Sequence, residues 1–367
     1  MKFQAVVGMG FGDEGKGKAV SSLCLDSDNP LVIRFCGGQQ AGHHVVLNDK
    51  LDHVFSNFGS GTLQGAETYW SEYCTVDPVG IINELNILLA KNIKSILRIN
   101  KKCPVTTPYE KQYNQAHDKI HNHGSCGVGV GQTYQREQDH YSLLFSDLYF
   151  PSILKTKLEL LSKYYNFELD CTDFLIACDK LVSSYRIIPT DGLSGLLSYY
   201  DRLIFEGSQG LLLDQTYGFF PHVTRANTGI KNIIDMGFTP NVFYVTRAYQ
   251  TRHGNGHMTN EHIKHDVKKN PYEQNPSNGF QGKFRIAYLD LDLLRYALSR
   301  ETHPLLPVSK TLVITCLDLM QSYKLTISGK LIEYENENQF VEKIKTSLDI
   351  SVCFLSKSPF PELYLKN

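Results

Sequence analysis

Chemistry-bearing residues crowd most densely into Gly8-Met9-Gly10-Phe11-Gly12-Asp13-Glu14-Gly15-Lys16-Gly17-Lys18. Five glycines within residues 8–17 give up backbone entropy with no packing return in view. Two lysines and a run of backbone N–H groups ahead of a helix suit a bound anion, phosphate above all. Asp13 adds a carboxylate that can hold a metal or accept a proton. A second glycine-rich run, Gly37-Gly38-Gln39-Gln40-Ala41-Gly42-His43-His44, supplies imidazoles. If the two loops face one crevice, an acid and an imidazole stand beside a phosphate cradle, an arrangement suited to phosphoryl transfer.

Other motifs compete for the first loop. Gly10-x-Gly12-x-x-Gly15 satisfies the dinucleotide fingerprint, a pattern that also arises by chance. Asp13, Glu14, Lys16 and Lys18 would crowd a pyrophosphate, however, and the second strand ends at Phe35 rather than in a ribose-binding acid. Gly10-x-x-x-x-Gly15-Lys16 resembles a Walker loop, but Gly17 follows where a hydroxyl would hold Mg²⁺, leaving Asp13 to serve as the metal ligand. A plain strand-to-helix turn with solvated lysines leaves the glycines unexplained.

The elements that must position these loops read as α/β. Strand patterns fall at Phe3 to Val7, Leu31 to Phe35, Ser95 to Arg98, Leu203 to Phe205, Val242 to Val245 and Leu312 to Thr315. Helical patterns at Lys18 to Leu25, Val79 to Ala90 and Leu289 to Ser299 alternate with them. This alternation predicts a mostly parallel central sheet with helices on both faces and a P-loop-like glycine-rich loop after strand one. The C-terminal ends of neighbouring parallel strands share an edge, which puts His43 near Asp13. Tyr323 to Ile327, Gly329 and Leu331 to Tyr334 predict a hairpin. Thr251 to Lys283 is the longest candidate loop; its His253, His257, His262 and His265 could be read as zinc ligands, although Gly, Asn and Met between them do not suggest a ligand-presenting helix. No linker divides the chain, so residues 1–367 are expected to form a single domain.

Composition narrows the classes. The 367 residues are 42% hydrophobic and 20% charged, with 37 basic against 38 acidic side chains, in keeping with a medium-sized soluble enzyme. A formal net charge of -1 offers no global attraction for nucleic acid or acidic membranes, so neither is an expected partner. Nine cysteines without CxxC spacing fit reduced thiols. With no targeting pattern and no apolar run long enough to span a membrane, the expected location is cytoplasmic.

The two loops resemble those of the adenylosuccinate synthetase family, whose hallmarks are Gly-Asp-Glu-Gly-Lys-Gly-Lys and Gly-Gly-x-x-Ala-Gly-His, here Gly12 to Lys18 and Gly37 to His43. Gly124-Ser125-Cys126-Gly127-Val128-Gly129-Val130-Gly131 resembles the family's Gly-Thr-Thr-Gly-Arg-Gly-Ile-Gly. Phe205-Glu206-Gly207-Ser208-Gln209-Gly210, with Leu213-Asp214 and Val223-Thr224 beyond, is similar to its Phe-Glu-Gly-Ala-Gln-Gly block. Ala248 to Arg252 resembles Ala-Tyr-Ser-Thr-Arg, and Gly282-Lys283-Phe284-Arg285 before Tyr288-Leu289-Asp290 resembles the arginine-rich segment ahead of Trp-Leu-Asp.

That family is a set of C–N ligases joining L-aspartate to inosinate (IMP) with GTP and Mg²⁺. The resemblance implies that Asp13 takes the N1 proton while the γ-phosphoryl passes to O6, and that His43 stabilises the transferring group. It makes Asp13 and the Gly42 carbonyl the Mg²⁺ ligands, with Mg²⁺ depressing the Asp13 pKa. It assigns Gly12, Glu14, Gly15, Lys16, Gly17 and Lys18 to the donor phosphates, and Cys316, Asp318, Ser356, Ser358 and Pro359 to the rest of the donor site. Gln40, Ser125, Cys126, Gln209 and Thr224 would line the acceptor nucleotide. His253, Lys283 and Arg285, with the Asn278 to Gln281 loop, would complete the substrate site, the two cations binding the carboxylates of aspartate. A homodimer is also implied.

Three features depart from the family pattern. The donor-base motif is Thr-Lys-Leu-Asp, and Cys316 replaces its lysine, which opens the choice between GTP and ATP. The arginine that reaches across the family's dimer aligns with His140, with Arg136 as the other candidate. The chain is also short, as are archaeal members and a phage variant that joins aspartate to dGMP using ATP. Asp13 favours the IMP reaction over that variant, while Cys316 leans the other way. A catalytically inactive nucleotide-binding protein is the alternative of another class, and the presence of both Asp13 and His43 speaks against it.

Overall fold

The computed structural model describes residues 2–121, 124–273, 282–301 and 308–366. In chain order the strands are β1 (Lys2–Gly8), β2 (Pro30–Arg34), β3 (His43–Asn48), β4 (Leu51–Phe55), β5 (Glu67–Trp70), β6 (Leu97–Asn100), β7 (Ile187–Thr190) and β8 (Arg202–Gly210). They continue with β9 (Asn241–Arg247), β10 (Tyr249–His253), β11 (Phe284–Asp290), β12 (Lys310–Thr315), β13 (Tyr323–Ile327), β14 (Lys330–Tyr334), β15 (Val352–Leu355) and β16 (Tyr364–Leu365). The α-helices are α1 (Lys16–Leu25), α2 (Pro78–Ala90), α3 (Pro108–His121), α4 (Val130–Gln138), α5 (Pro151–Tyr165), α6 (Thr172–Ser183), α7 (Lys231–Asp235), α8 (Leu291–Glu301) and α9 (Glu337–Leu348).

Ten strands form the central sheet in the order β16-β15-β12-β9-β1-β8-β2-β5-β6-β7. Every neighbouring pair is parallel except β15 with β16. Central strands of such a sheet are covered on both faces, so their residues are apolar in succession rather than alternately polar. Strand β1 shows the division: Ala5 and Val7 pack with Leu294 and Leu298 of α8 and Phe340 and Ile344 of α9 in one cluster. Val6, between them, packs with Ala19, Val20 and Leu23 of α1 in another. A third cluster joins Trp70 and Ile99 to α2, α5 and α6.

The expected hairpin is present, β13 pairing antiparallel with β14. Other expectations are corrected by long-range pairing. Leu289 and Asp290 belong to β11, where they pair parallel with Leu325 and Thr326 of β13, and Thr251 to His253 belong to β10, which pairs antiparallel with β11 over residues 249–253 and 284–288. The second glycine-rich run does not stay a loop through His44, since His43 opens an antiparallel hairpin with β4. No cysteine forms a disulfide. Among the described residues no helix is long and apolar enough to cross a membrane.

Candidate active site

Six adjacent parallel strands, β15-β12-β9-β1-β8-β2, end on one edge of the sheet. Residues at or beyond their ends line a cleft of about 580 Å³. Strand order spaces the chemistry along it. Ser356, Ser358 and Pro359 follow β15, Cys316 and Asp318 follow β12, and Arg247 ends β9. Gly12, Asp13 and Gly15 to Lys18 follow β1, Gln209 lies in β8, and Gln40, Gly42 and His43 follow β2. Cys126 and His253 complete the sequence-derived residues on these walls.

Helix α1 begins at the cradle. Its N-cap, Gly15, has φ +95° and supplies no capping side chain, so the first-turn N–H groups have no intrahelical acceptor and lie at the cleft wall, an arrangement suited to an anion. Gly17 makes room for the opposite wall: a Cβ there would lie 2.8 Å from His43 Cβ. Glu14 is absent from the cleft wall. Its buried carboxylate accepts from the Gly10 N–H at 3.0 Å, the Gly12 N–H at 2.8 Å and Lys16 Nζ at 2.5 Å, bracing the loop from beneath. Burial would raise its pKa, but Lys16 and the Gly12 and Glu14 backbone N–H groups overcome that and hold it down.

His43 is held from behind. Its Nδ1 lies 2.5 Å from Glu206 Oε1, both residues buried, and Ser60 bonds the same carboxylate through its hydroxyl and, at 3.1 Å, its N–H. Burial pushes Glu206 up, yet His43, Arg34 and Ser60 together bring it down to about 2. Glu206 is therefore an acceptor, and His43 donates from Nδ1. Burial depresses the His43 pKa, with Arg34 and Lys16 adding to that and Glu206 opposing it. A neutral ring then leaves Nε2 deprotonated; donating to a phosphoryl oxygen requires the imidazolium, which a bound anion favours.

Asp13 adopts a left-handed backbone, φ +60°, at the cradle's turn. Burial raises its pKa, and Arg247 partly offsets this, so the protein itself makes Asp13 a better proton acceptor. The depression expected from the sequence depends on Mg²⁺. Asp13 and Gly42 both line the cleft, and Mg²⁺ commonly takes one or two carboxylates with phosphates and waters, so this donor set fits the ion. Among the described residues no three His, Cys, Asp or Glu side chains are arranged to hold a metal ion, and His253, His257, His262 and His265 are no exception.

Where the cleft runs past β12 and β15, Lys18 donates to Ser356 Oγ and the Ser358 carbonyl. Burial pulls its pKa to about 8 against the opposing influence of Cys316, Asp318 and Glu362. An ammonium group thus stands beside Cys316, where the family pattern has a lysine. Several buried polar atoms on the cleft walls have no hydrogen-bonding partner among the described residues: both amide atoms of Gln40, His43 Nε2, Gln209 Oε1, His253 Nε2 and Ser358 Oγ. Buried polar atoms in folded proteins are almost always paired, so this concentration marks a polar ligand's place.

Ser125, Thr224, Lys283 and Arg285 are not among the wall residues. Ser125 Oγ bonds Asp118 and, at 2.9 Å, Asn114. The Thr224 N–H donates to the Leu213 carbonyl, Lys283 is exposed, and Arg285 is tied to Glu261 at 2.7 Å and to the Gly254 and Gly256 carbonyls. Asn278 to Gln281 lie outside the described residues. Arg136 is buried and paired with Glu110 at 2.6 Å, which removes it from any reach toward a second subunit, whereas His140 is exposed.

Sequence reasoning missed Glu206, Ser60 and Arg247. A carboxylate at the end of the apolar run Leu203-Ile204-Phe205 must be paired when buried, and that was the available signal for Glu206.

The adenylosuccinate synthetase family model matches residues 5–354. An adenylosuccinate synthetase of Borrelia recurrentis is 30% identical over 94% of this chain and 85% of its own length. That of Thermoplasma acidophilum is 28% identical over 95% and 85%. Among solved structures, a fully ligated adenylosuccinate synthetase from Plasmodium falciparum shares the fold with a TM-score of 0.78 at 17% identity, covering 100% of both chains. The cyanophage S-2L succinoaminodeoxyadenylate synthetase, bound to dGMP and dATP, has a TM-score of 0.67 at 15% identity over 99% of this chain and 95% of its own. With a family match spanning nearly its whole length, the chain belongs to the adenylosuccinate synthetase family.

Proposed function

We propose that this chain joins L-aspartate to C6 of IMP, with GTP as phosphoryl donor, as a single catalytic unit that works as a cytoplasmic homodimer. The carrying observation is that Asp13 and His43 line one cleft whose walls hold unpartnered buried polar atoms on both sides of the phosphate cradle. The cradle's first-turn N–H groups bind the donor phosphates, and Asp13 and Gly42 would hold Mg²⁺, which would supply charge neutralisation there when bound. Asp13 takes the purine N1 proton as O6 attacks the γ-phosphorus. His43, positioned by Glu206, donates from Nε2 to the transferring group. Phosphorylation turns a poor leaving oxygen into a good one, and the aspartate amine then displaces phosphate at C6.

Cys316, in place of the family lysine, keeps one other reading in view: dGMP as acceptor with ATP as donor. Phosphate release and product formation from aspartate, Mg²⁺ and each pairing of IMP or dGMP with GTP or ATP test both. IMP with GTP is expected to turn over fastest. Strong preference for dGMP with ATP replaces this reading with the phage-type reaction, and no turnover in any pairing supports a nucleotide-binding protein without catalysis. His43→Ala should lower the transfer rate more than it weakens nucleotide binding.

A further inference from the structure

The second glycine-rich run forms one wall of the cleft, from Gln39 to His44, yet part of its anchorage lies in a helix off that wall. Gly37 begins the turn with φ +74°, and both of its backbone polar groups are held. Its N–H donates to Tyr134 Oη of α4 at 3.2 Å, and its carbonyl accepts from the Thr75 N–H at 2.9 Å. The same hydroxyl donates its proton to the Tyr73 carbonyl at 2.5 Å. One phenol thus joins the run to the segment that follows β5, and burial keeps it protonated by holding its pKa well above the usual range.

Helix α4 gives that phenol a fixed mount. Thr133, the preceding residue, bonds Thr106 Oγ1 at 2.8 Å, and Arg136 is buried against Glu110 at 2.6 Å and the Val105 carbonyl at 2.7 Å. Val130, in the first turn, packs where Gly38 leaves room: a Cβ on Gly38 would lie 3.1 Å from Val130 Cγ2. The helix follows Gly129, and Cys126 just ahead of it has its Sγ 3.9 Å from the Gln40 carbonyl.

What this anchorage controls is Gln40. A Cβ added to Gly37 would lie 2.6 Å from Gln40 Nε2, so the amide rests on the bare Cα of the residue that Tyr134 holds. Both amide atoms are buried on the cleft wall with no hydrogen-bonding partner among the described residues. A side chain without such bonds takes its position from what it packs against, here Gly37.

We infer that Tyr134 is a positioning residue for the acceptor nucleotide, acting through Gly37 on the amide of Gln40. The inference rests on the proposed ligase reading and adds to it a residue off the cleft wall. Without the hydroxyl, the buried Gly37 N–H and the Tyr73 carbonyl lose this partner, and a buried polar group left unpaired drives its backbone toward another one. Gly37 then shifts, and Gln40 shifts with it.

The test is a double-mutant cycle of Tyr134→Phe, Gln40→Ala and the two combined. Calorimetry measures IMP and dGMP binding, and steady-state kinetics gives kcat and the KM of each substrate in turn. Tyr134→Phe should weaken binding of the acceptor nucleotide and raise its KM by about five- to tenfold, while the KM values for the phosphoryl donor and aspartate change by less than about twofold. In the Gln40→Ala background the same replacement should add little, because the group it positions is gone. Thermal melting of each protein separates this pattern from a general loosening of the fold.

Additive losses in the double variant overturn the assignment, since they mark two independent effects. So does an equal rise in all three KM values, unchanged acceptor binding in Tyr134→Phe, or a Tyr134→Phe chain that does not fold, each of which leaves the hydroxyl a general structural role or none. If the wild type turns over no substrate pairing, the ligase reading fails, while nucleotide binding still reads the coupling of Tyr134 to Gln40. A wild type that binds neither IMP nor dGMP overturns both.

Discussion

Replacing Glu206 by Gln removes the negative charge 2.5 Å from His43 Nδ1 while keeping the side-chain outline. Hydrogen bonds to charged groups contribute about 1.5–3 kcal/mol, and about 1.4 kcal/mol lost at the transition state is tenfold in rate. The pair lies in the buried interior, where little water compensates, so phosphoryl transfer should slow by about 10- to 150-fold. The pH profile should move as well. Activity that needs the imidazolium falls as pH rises through the His43 pKa in the complex. Without the Glu206 charge that pKa is lower, so the fall should begin at lower pH. Phosphate release measured from about pH 5 to 9 reads both effects, that range spanning the ordinary titration of histidine. A Glu206→Gln variant with wild-type rate and an unmoved profile refutes the positioning role.

Stability gives an independent check on the same residue. The folded Glu206 pKa of about 2 lies below its ordinary 4.5, so its contribution is present above 4.5 and is lost as pH falls toward 2. Denaturant melts at several acidic pH values should show this loss in the wild type and a shallower one in Glu206→Gln. Asp13→Asn should cut turnover by ~10²–10⁴-fold with nucleotide binding largely kept, because the amide cannot accept the N1 proton; wild-type turnover would sink the assignment. Cys316→Lys should improve GTP relative to ATP by roughly 1–2 kcal/mol in kcat/KM ratio, and no change for either donor would place this segment away from the base. Gly17→Ala puts a methyl 2.8 Å from His43 Cβ and should reduce kcat through displacement of the imidazole, checked by the same phosphate assay; an unaltered kcat would show that the walls yield without cost.

The glycine-rich turn ahead of α1, the strand-end positions of Asp13 and His43, and the parallel α/β plan were legible because each is a local pattern. Glycines ahead of a helix, short apolar runs and strand-end loops carry their meaning within a few residues. Element ends were less legible where distant pairing decided them. Asp290 is a strand residue through the β11–β13 pairing, and His43 joins a hairpin because β4 lies beside it. The expected carboxylate-binding pair was placed by resemblance to an arginine-rich segment. In the fold Arg285 donates to the Gly254 and Gly256 carbonyls, partners distant in the chain.

What the amino-acid sequence determined alone was the set of candidate reacting groups and their assignment to strand ends, since backbone freedom at glycine and apolar periodicity are properties of adjacent residues. Only the tertiary structure decided their partners. Glu206 stands 163 residues from the histidine it orients, and Arg247 is 234 from Asp13. Glu14, next to Asp13 in the chain, turns under the loop rather than into the cleft. Burial and pairing set the protonation of all these groups, and both depend on which strands lie side by side, a long-range outcome that no short window of residues contains.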